Sequence, residues 1–301
     1  MANFANAQLR RTKTPFWNNL KIVPYMYIFP NLTLFLVFMI FPIFMTGWYS
    51  LHRWGGLGTP RFIGLNNYFY IFQDHVFLRS LWNTFFFTGV TVPLLMALAL
   101  LFAIMLNQKI KLLGFFRGVM YIPAVVSTVV VGLVFIWLFD TQLGFINYFI
   151  GFFGIPRVEW SRDPRFAMSM IITATIWART GFNMVIYLAA LQGISQEYYE
   201  AARIDGASGL QSFRFITMPL LSHTHMFVLI TCVIHSFRTF DLIYVMTRGG
   251  PLNATRTLVV YVYEIGFAQN IFGRSAAGGV VLFFILLAFT IIRLRSEKAV
   301  T

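Results

Sequence analysis

The sequence predicts an all-α polytopic membrane protein, a helical bundle of six spans, and three observations carry that prediction. Of the 301 residues, 58% are hydrophobic and 11% charged, with a mean hydropathy of +0.71. Apolar runs of about twenty residues, the length that crosses roughly 30 Å of hydrocarbon, recur along the chain. The basic residues stand at the ends of those runs rather than along one face. In lipid each backbone polar group must find its partner within the segment, so runs of this length are read as helices. The formal charge of +13 is then a set of flanking anchors and not a nucleic-acid surface.

Taken in order, residues 1–24 form a tail with Arg10, Arg11, Lys13 and Lys21, followed by a first span over Tyr25–Leu51. That run is too long for a cleavable signal and contains Pro30 and Pro42, so it reads as a retained span. A glycine-rich loop, Gly55 to Pro60, leads to the second span at Asn83–Leu106, and Lys109, Lys111 and Arg117 separate it from the third, Val119–Phe139. The loop from Phe152 to Pro164 precedes the fourth span, Ala167–Leu191. A polar loop over residues 192–222 follows, then a fifth span, His223–Met246, ended by the turn Arg248-Gly249-Gly250-Pro251. The sixth, Ala276–Leu294, leaves a tail of residues 295–301, so that 25–294 is one domain.

One side of this arrangement carries twelve Lys and Arg residues and the other nine. The bias places both termini and the 192–222 loop in the cytoplasm. The long outer loops suit either a soluble partner or the plain linking of helices. The single cysteine, Cys232, lies within a span and excludes an intrachain disulfide.

No GxxxxGK[ST], HExxH, CxxC or GxSxG pattern occurs, so the chain carries no recognisable nucleotide-hydrolysing, metalloprotease, redox or hydrolase site. His223 and His225 lack further ligands and read as interfacial anchors; no metal is expected. Polar residues within the spans say more. Arg179 and Asn183 fall inside the fourth span, and an arginine near a helix centre costs about 2.5–3.5 kcal/mol on insertion scales, so it faces protein or water. Cys232, His235, Ser236 and Thr239 follow the 0, +3, +4, +7 spacing of one helix face. Such a stripe lines a pathway or forms interhelical hydrogen bonds. Thr128, after Pro123, is a candidate of the same kind, and Arg238 with Asp241 has the spacing of a helix ion pair.

The stretch Glu197–Leu221 gathers Glu197, Glu200, Arg203 and Asp205 between two apolar segments, so it sits in water or against a protein. Helix formers run from Glu197 to Arg203, Gly206 interrupts them, and Phe213, Ile216 and Leu220 mark a second amphipathic run before the fifth span. The predicted shape is helix, glycine bend, helix.

Glu200-Ala201-Ala202, then Gly206, Ile216 and Pro219 at their spacings, resembles the EAA motif of permease subunits in binding-protein-dependent ABC importers. Met218 stands where that family usually has leucine. The runs Thr239 to Tyr244, Thr247 to Pro251, Gly181 to Asn183 and Ala189 to Ile194 look like its carbohydrate-uptake branch, which includes maltose-type and glycerol-3-phosphate-type permeases.

The resemblance implies a type I ABC importer permease fold in the cytoplasmic membrane of a prokaryote. It implies that Glu200, Ala201, Ala202, Arg203, Asp205 and Gly206 form a coupling helix that docks on a cytoplasmic ATPase. ATP and Mg would then be used by two partner ATPase subunits and no cofactor by this chain, which would not itself be an enzyme. The other implied partners are a second six-span permease, an extracytoplasmic solute-binding protein and a carbohydrate. Position by position, Thr128, His235, Ser236 and Thr239 correspond to the family's pocket, as do Gly181, Phe182 and Asn183. The alternative class is an autonomous proton- or cation-coupled transporter, which calls for paired acids or an inverted repeat; Asp241 is the one acid well inside a predicted span.

Overall fold

Six apolar stretches are present in the computed structural model, which describes residues 23–108 and 111–298, and two of them are bent. Arg10, Arg11, Lys13, Lys21 and Lys109, with nearly all of the predicted N-terminal tail and residues 299–301 of the other, lie outside the described residues.

The chain divides into two compact units, Met1–Trp48 and Tyr49–Thr301. The first contains α1 (Val23–Phe35) and a π-helical turn, Leu36–Ile40, that leads into α2 (Phe41–Ser50). Pro30 sits within α1, whose helix continues past it, and Pro24–Ser50 is long and apolar enough to span.

In the second unit a two-residue hairpin pairs β1 (His52–Arg53) with β2 (Arg61–Phe62), and α3 (Asn66–Gln73) folds beneath it. The buried amide of Asn67 holds the two together, donating to the carbonyls of Ser50 and His52 at 2.8 and 2.9 Å. Asp74 caps α4 (His75–Leu106), accepting from the Val76 amide, so the second span begins well before the predicted Asn83.

The predicted third span is two helices, α5 (Leu113–Val125) and α6 (Thr128–Leu138), meeting at 97°. The break lies not at Pro123, inside α5, but at Val126 and Ser127, which take extended backbone with ψ of 139° and 132°. At 1.5 Å per residue neither half reaches the roughly 30 Å of a bilayer core alone.

Short α7 (Phe145–Gly151) belongs to a loop gathered around the buried Asn147, whose amide donates to the carbonyls of Asp140, Thr141 and Val158 and accepts from Val158 N and Trp160 Nε1. The fourth span, α8 (Ala167–Gln192), is the central element and packs against α4, α5 and α6 as well as two later helices.

The connection after it contains α9 (Gln196–Ile204), α10 (Gly209–Ser212), a π-helical turn over Phe213–Thr217 and α11 (Met218–Leu220), and bends by 67° into α12 (Ser222–Phe237). The fifth span therefore ends at Phe237, short of the predicted Met246. Arg238 caps it, and α13 (Asp241–Thr247) starts anew after Thr239 and Phe240.

Beyond the predicted glycine turn, α14 (Leu258–Tyr263) is started by the buried Thr84 hydroxyl of α4, which accepts from the Leu258 amide. The last helix, α15 (Phe272–Lys298), runs past Leu294 into what was expected to be tail.

Two apolar clusters frame the interior. One joins Phe87, Val131, Phe135, Ile171, Ala174 and Ala178 to Leu242, Ile243 and Met246. The other joins Leu95, Ala99 and Ala103 to Met184, Tyr187, Val228 and Cys232. Helix α8 passes from the first cluster to the second, and its turn from Arg179 to Asn183 lies between them.

Candidate functional site

At that turn the bundle opens. A cavity of 390 Å³ is lined by Thr128 of α6, Thr175, Ala178 and Arg179 of α8, Thr231 and His235 of α12, and Arg238, Thr239 and Asp241 from the break and the start of α13. A smaller one of 80 Å³ shares Thr175, Arg179, Thr231 and His235 and adds Leu95, Phe182, Asn183, Cys232 and Ser236. The helix breaks on both sides create this site. The 97° bend puts Thr128 at the first turn of α6, and the end of α12 turns Arg238 and Thr239 into the cavity.

The stripe expected from helical spacing is divided by this geometry. Cys232, His235 and Ser236 lie on α12, but Thr239 is beyond the helix, buried, with its hydroxyl donating to the His235 carbonyl at 3.0 Å. His235 borders both cavities, Thr239 only the larger, and Cys232 and Ser236 only the smaller. The Cys232 thiol donates to Asn183 Oδ1 at 3.5 Å, and the Asn183 amide donates back to the Arg179 carbonyl. Phe182 offers an exposed ring beside them.

Gly181 lines neither cavity. A Cβ there would collide with the Met120 carbonyl, so this glycine lets α5 cross α8 at backbone distance. Arg238 and Asp241 form no ion pair among the described residues, because the helix that would have set them three apart ends between them; Asp241 accepts instead from the Thr128 hydroxyl at 3.5 Å. The Nδ1 of His225 and the buried Tyr187 hydroxyl are 2.9 Å apart. Among the described residues no group of three or more His, Cys, Asp or Glu side chains is arranged to hold a metal.

The polar loop has the predicted form of helix, glycine bend, helix. Ser195 caps α9 by accepting from Glu197 N, Glu197 stands in the first turn and Arg203 in the last, which complements the helix dipole. At the other end Ala207 N donates to Ala202 O at 2.8 Å and Gly206 N to Arg203 O at 3.1 Å. That pair of bonds is a Schellman cap, and it requires the left-handed backbone that Gly206 adopts with φ of +81°. Ser208 and Gln211 then close a capping box on α10, and the Tyr199 and Thr217 hydroxyls, 3.0 Å apart, tie the two arms.

Glu200, Ala201, Arg203, Asp205 and Gly206 are exposed along this elbow and Ala202 is half-buried. Ile204, 87% exposed, and Leu210, 76%, flank the bend as apolar knobs.

A model of the family described as "Binding-protein-dependent transport system inner membrane component" matches residues 89–301. The chain belongs to that family. Over 272 residues this permease is 36% identical to the trehalose/maltose transport system permease protein of Thermococcus litoralis, covering 90% of this chain and 92% of that one. It is 34% identical over 280 residues to the sn-glycerol-3-phosphate transport system permease protein of Agrobacterium fabrum, covering 91% and 94%. In fold it matches a chain of a bacterial alginate ABC transporter crystallised with an alginate pentasaccharide-bound periplasmic protein, at a TM-score of 0.84 and 22% identity over 95% of this chain and 98% of that one. It is thus a multi-pass ABC transporter permease of the carbohydrate-uptake branch, a transport component and not an enzyme.

Sequence reasoning passed over Thr175 and Thr231 as lining residues of the permease and read Arg238 as half of an ion pair. A signal was present. Thr175 and Arg179 are four apart on α8, and Thr231, His235 and Arg238 follow 0, +4, +7 on α12, one position round the helix from the stripe that was chosen.

Proposed function

We propose that this permease forms one half of the translocation pathway of an ATP-driven importer for a sugar, an oligosaccharide or a related polyhydroxy solute, working beside a second six-span permease. The cavity where α6, α8, α12 and α13 meet is the observation that carries this reading, because it gathers hydroxyl, imidazole and guanidinium groups between apolar clusters of membrane-length helices. Polar groups are placed there at a cost, and pathways are where that cost is recovered. Thr128, His235 and Thr239 meet the solute in it, and the adjoining smaller cavity adds Ser236, with Asn183 and Phe182 supplying an amide and an aromatic platform and Cys232 a small wall. Gly181 serves by seating α5 on α8.

The elbow around Gly206 docks in the cytoplasm on one of two ATPase subunits, with Glu200, Arg203 and Asp205 as polar contacts and Ala201 and Ala202 permitting close approach. Those subunits bind ATP and Mg. An extracytoplasmic solute-binding protein meets the outer loops, and both termini face the cytoplasm. The relatives' named solutes, trehalose and maltose for one and sn-glycerol 3-phosphate for another, support a small polyhydroxy cargo here.

The test begins with purification of the permease from its native membranes in mild detergent. A P-loop ATPase and a second EAA-bearing permease should stay bound. Glu200→Lys should separate ATP hydrolysis from uptake while the chain remains in the membrane, and full uptake by that variant refutes docking through the elbow. Ser236→Leu should slow uptake without loss of assembly. Reporter fusions after Gly209 and Gly250 should fall on opposite sides of the membrane.

A further inference from the structure

We infer that the solute carried by this permease bears a negative charge, received by Arg179 and Arg238 in the larger cavity. The inference rests on the reading of that cavity as the pathway, and it deepens that reading to a substrate class.

Two guanidiniums reach the same 390 Å³ space from different elements, Arg179 from the middle of α8 and Arg238 from the end of α12. Asp241 is the only carboxylate in the lining and is bonded by Thr128. Neither arginine side chain has a hydrogen-bond or ion-pair partner among the described residues. Two arginines elsewhere are paired at short range, Arg165 with Asp163 at 2.7 Å and Arg256 with Glu264 at 2.8 Å. In the cavity two cations face one anion, and His235 lines the same space.

The hydroxyls sharpen the case. Thr175 donates to Ile171 O, Thr231 to Phe227 O, Thr239 to His235 O and Thr128 to Asp241, so each of these protons is committed within the protein. What the threonines offer a solute is lone pairs. Beside the His235 ring, the N–H donors left to the space are those of the two guanidiniums, whose planar forks match the oxygens of a carboxylate or a phosphate. A neutral sugar would leave the two guanidiniums set against the single charge of Asp241, to which neither is paired. An anionic sugar or polyol derivative supplies the missing charge and leaves its own hydroxyl protons for the threonine oxygens.

The test uses the whole transporter, with its own binding protein, in proteoliposomes loaded with ATP. Radiolabelled sn-glycerol 3-phosphate and trigalacturonate are the anionic probes, one phosphate and one carboxylate, and maltotriose is the neutral one. ATP-dependent uptake of at least one anionic probe is expected, with maltotriose excluded. Arg179→Gln and Arg238→Gln should each raise the apparent KM for that probe about tenfold or more, the size of one lost charge-assisted contact, and Arg179→Lys should recover part of it.

Uptake of maltotriose, uptake of neither anionic probe, or insensitivity of the anionic probe to both Gln variants overturns the inference. If maltotriose is carried and the Gln variants no longer assemble with the second permease, the arginines meet carboxylates of that subunit instead. ATP-dependent maltotriose uptake would leave the importer reading standing. Failure of any ATPase to co-purify would remove that reading itself.

Discussion

Gly206 is the position where a small change should have the most interpretable consequence. Its backbone lies at φ +81° and closes both bonds of the Schellman cap, yet a Cβ built on it meets nothing within 4 Å. A side chain there is therefore penalised for conformation alone. An L-residue pays roughly 1–2 kcal/mol in left-handed helical backbone, a factor of about 5–30 in the population of the bent elbow. Asparagine tolerates this region better than alanine, and a β-branched residue worse. Coupling of ATP hydrolysis to uptake in the reconstituted complex should fall in the order Gly, Asn, Ala, Val, with membrane levels of the permease unchanged. A valine variant that couples as the native protein does would refute the docking role of the bend, as would an asparagine variant no better than valine.

Other consequences follow from single contacts. Gly181→Leu drives a side chain into the Met120 backbone; separating α5 from α8 should lower the thermal midpoint of the detergent-solubilised complex, by about 1–3 kcal/mol of overpacking, whereas Phe182→Ala next to it should leave the midpoint nearly unchanged. Asn147→Ala removes the bonds that gather the loop around α7, so residues 140–160 should become protease-sensitive while the bundle stays folded, and Asn147→Asp, which keeps the acceptors, should be milder. In the same loop the amides of Leu143 and then Gln142 hold the Asp140 carboxyl below its ordinary value of 3.8. Its contribution to loop order is complete above that value and is lost as pH falls through the lower folded one, so acid opening measured by proteolysis should begin below pH 3.8, and Asp140→Asn should flatten that dependence.

Much of this protein was legible in its residues. The membrane class, the number of apolar stretches and the helix, glycine bend, helix form of the polar loop follow from local rules: hydrocarbon forces backbone bonds inward, and Ser195, Gly206 and Ser208 are cap residues whose geometry needs no distant partner. The spacing of Glu200, Ala201, Ala202 and Gly206 was enough to suggest the family. Only the tertiary structure decided where the third and fifth spans break, because Val126, Ser127 and Arg238 abandon the helix in a manner that depends on what packs beside them. It also decided how the polar residues of α12 divide between two cavities. Thr231, His235 and Arg238 compete with Cys232 and Ser236 on equal terms of periodicity, and the packing around α8 gives each set a cavity, the larger to Thr231, His235 and Arg238 and the smaller to Cys232 and Ser236 with Thr231 and His235 shared. Gly181 shows the same limit. Its role is set by the Met120 carbonyl, 61 positions away in sequence and adjacent in space, and no local rule can see that neighbour.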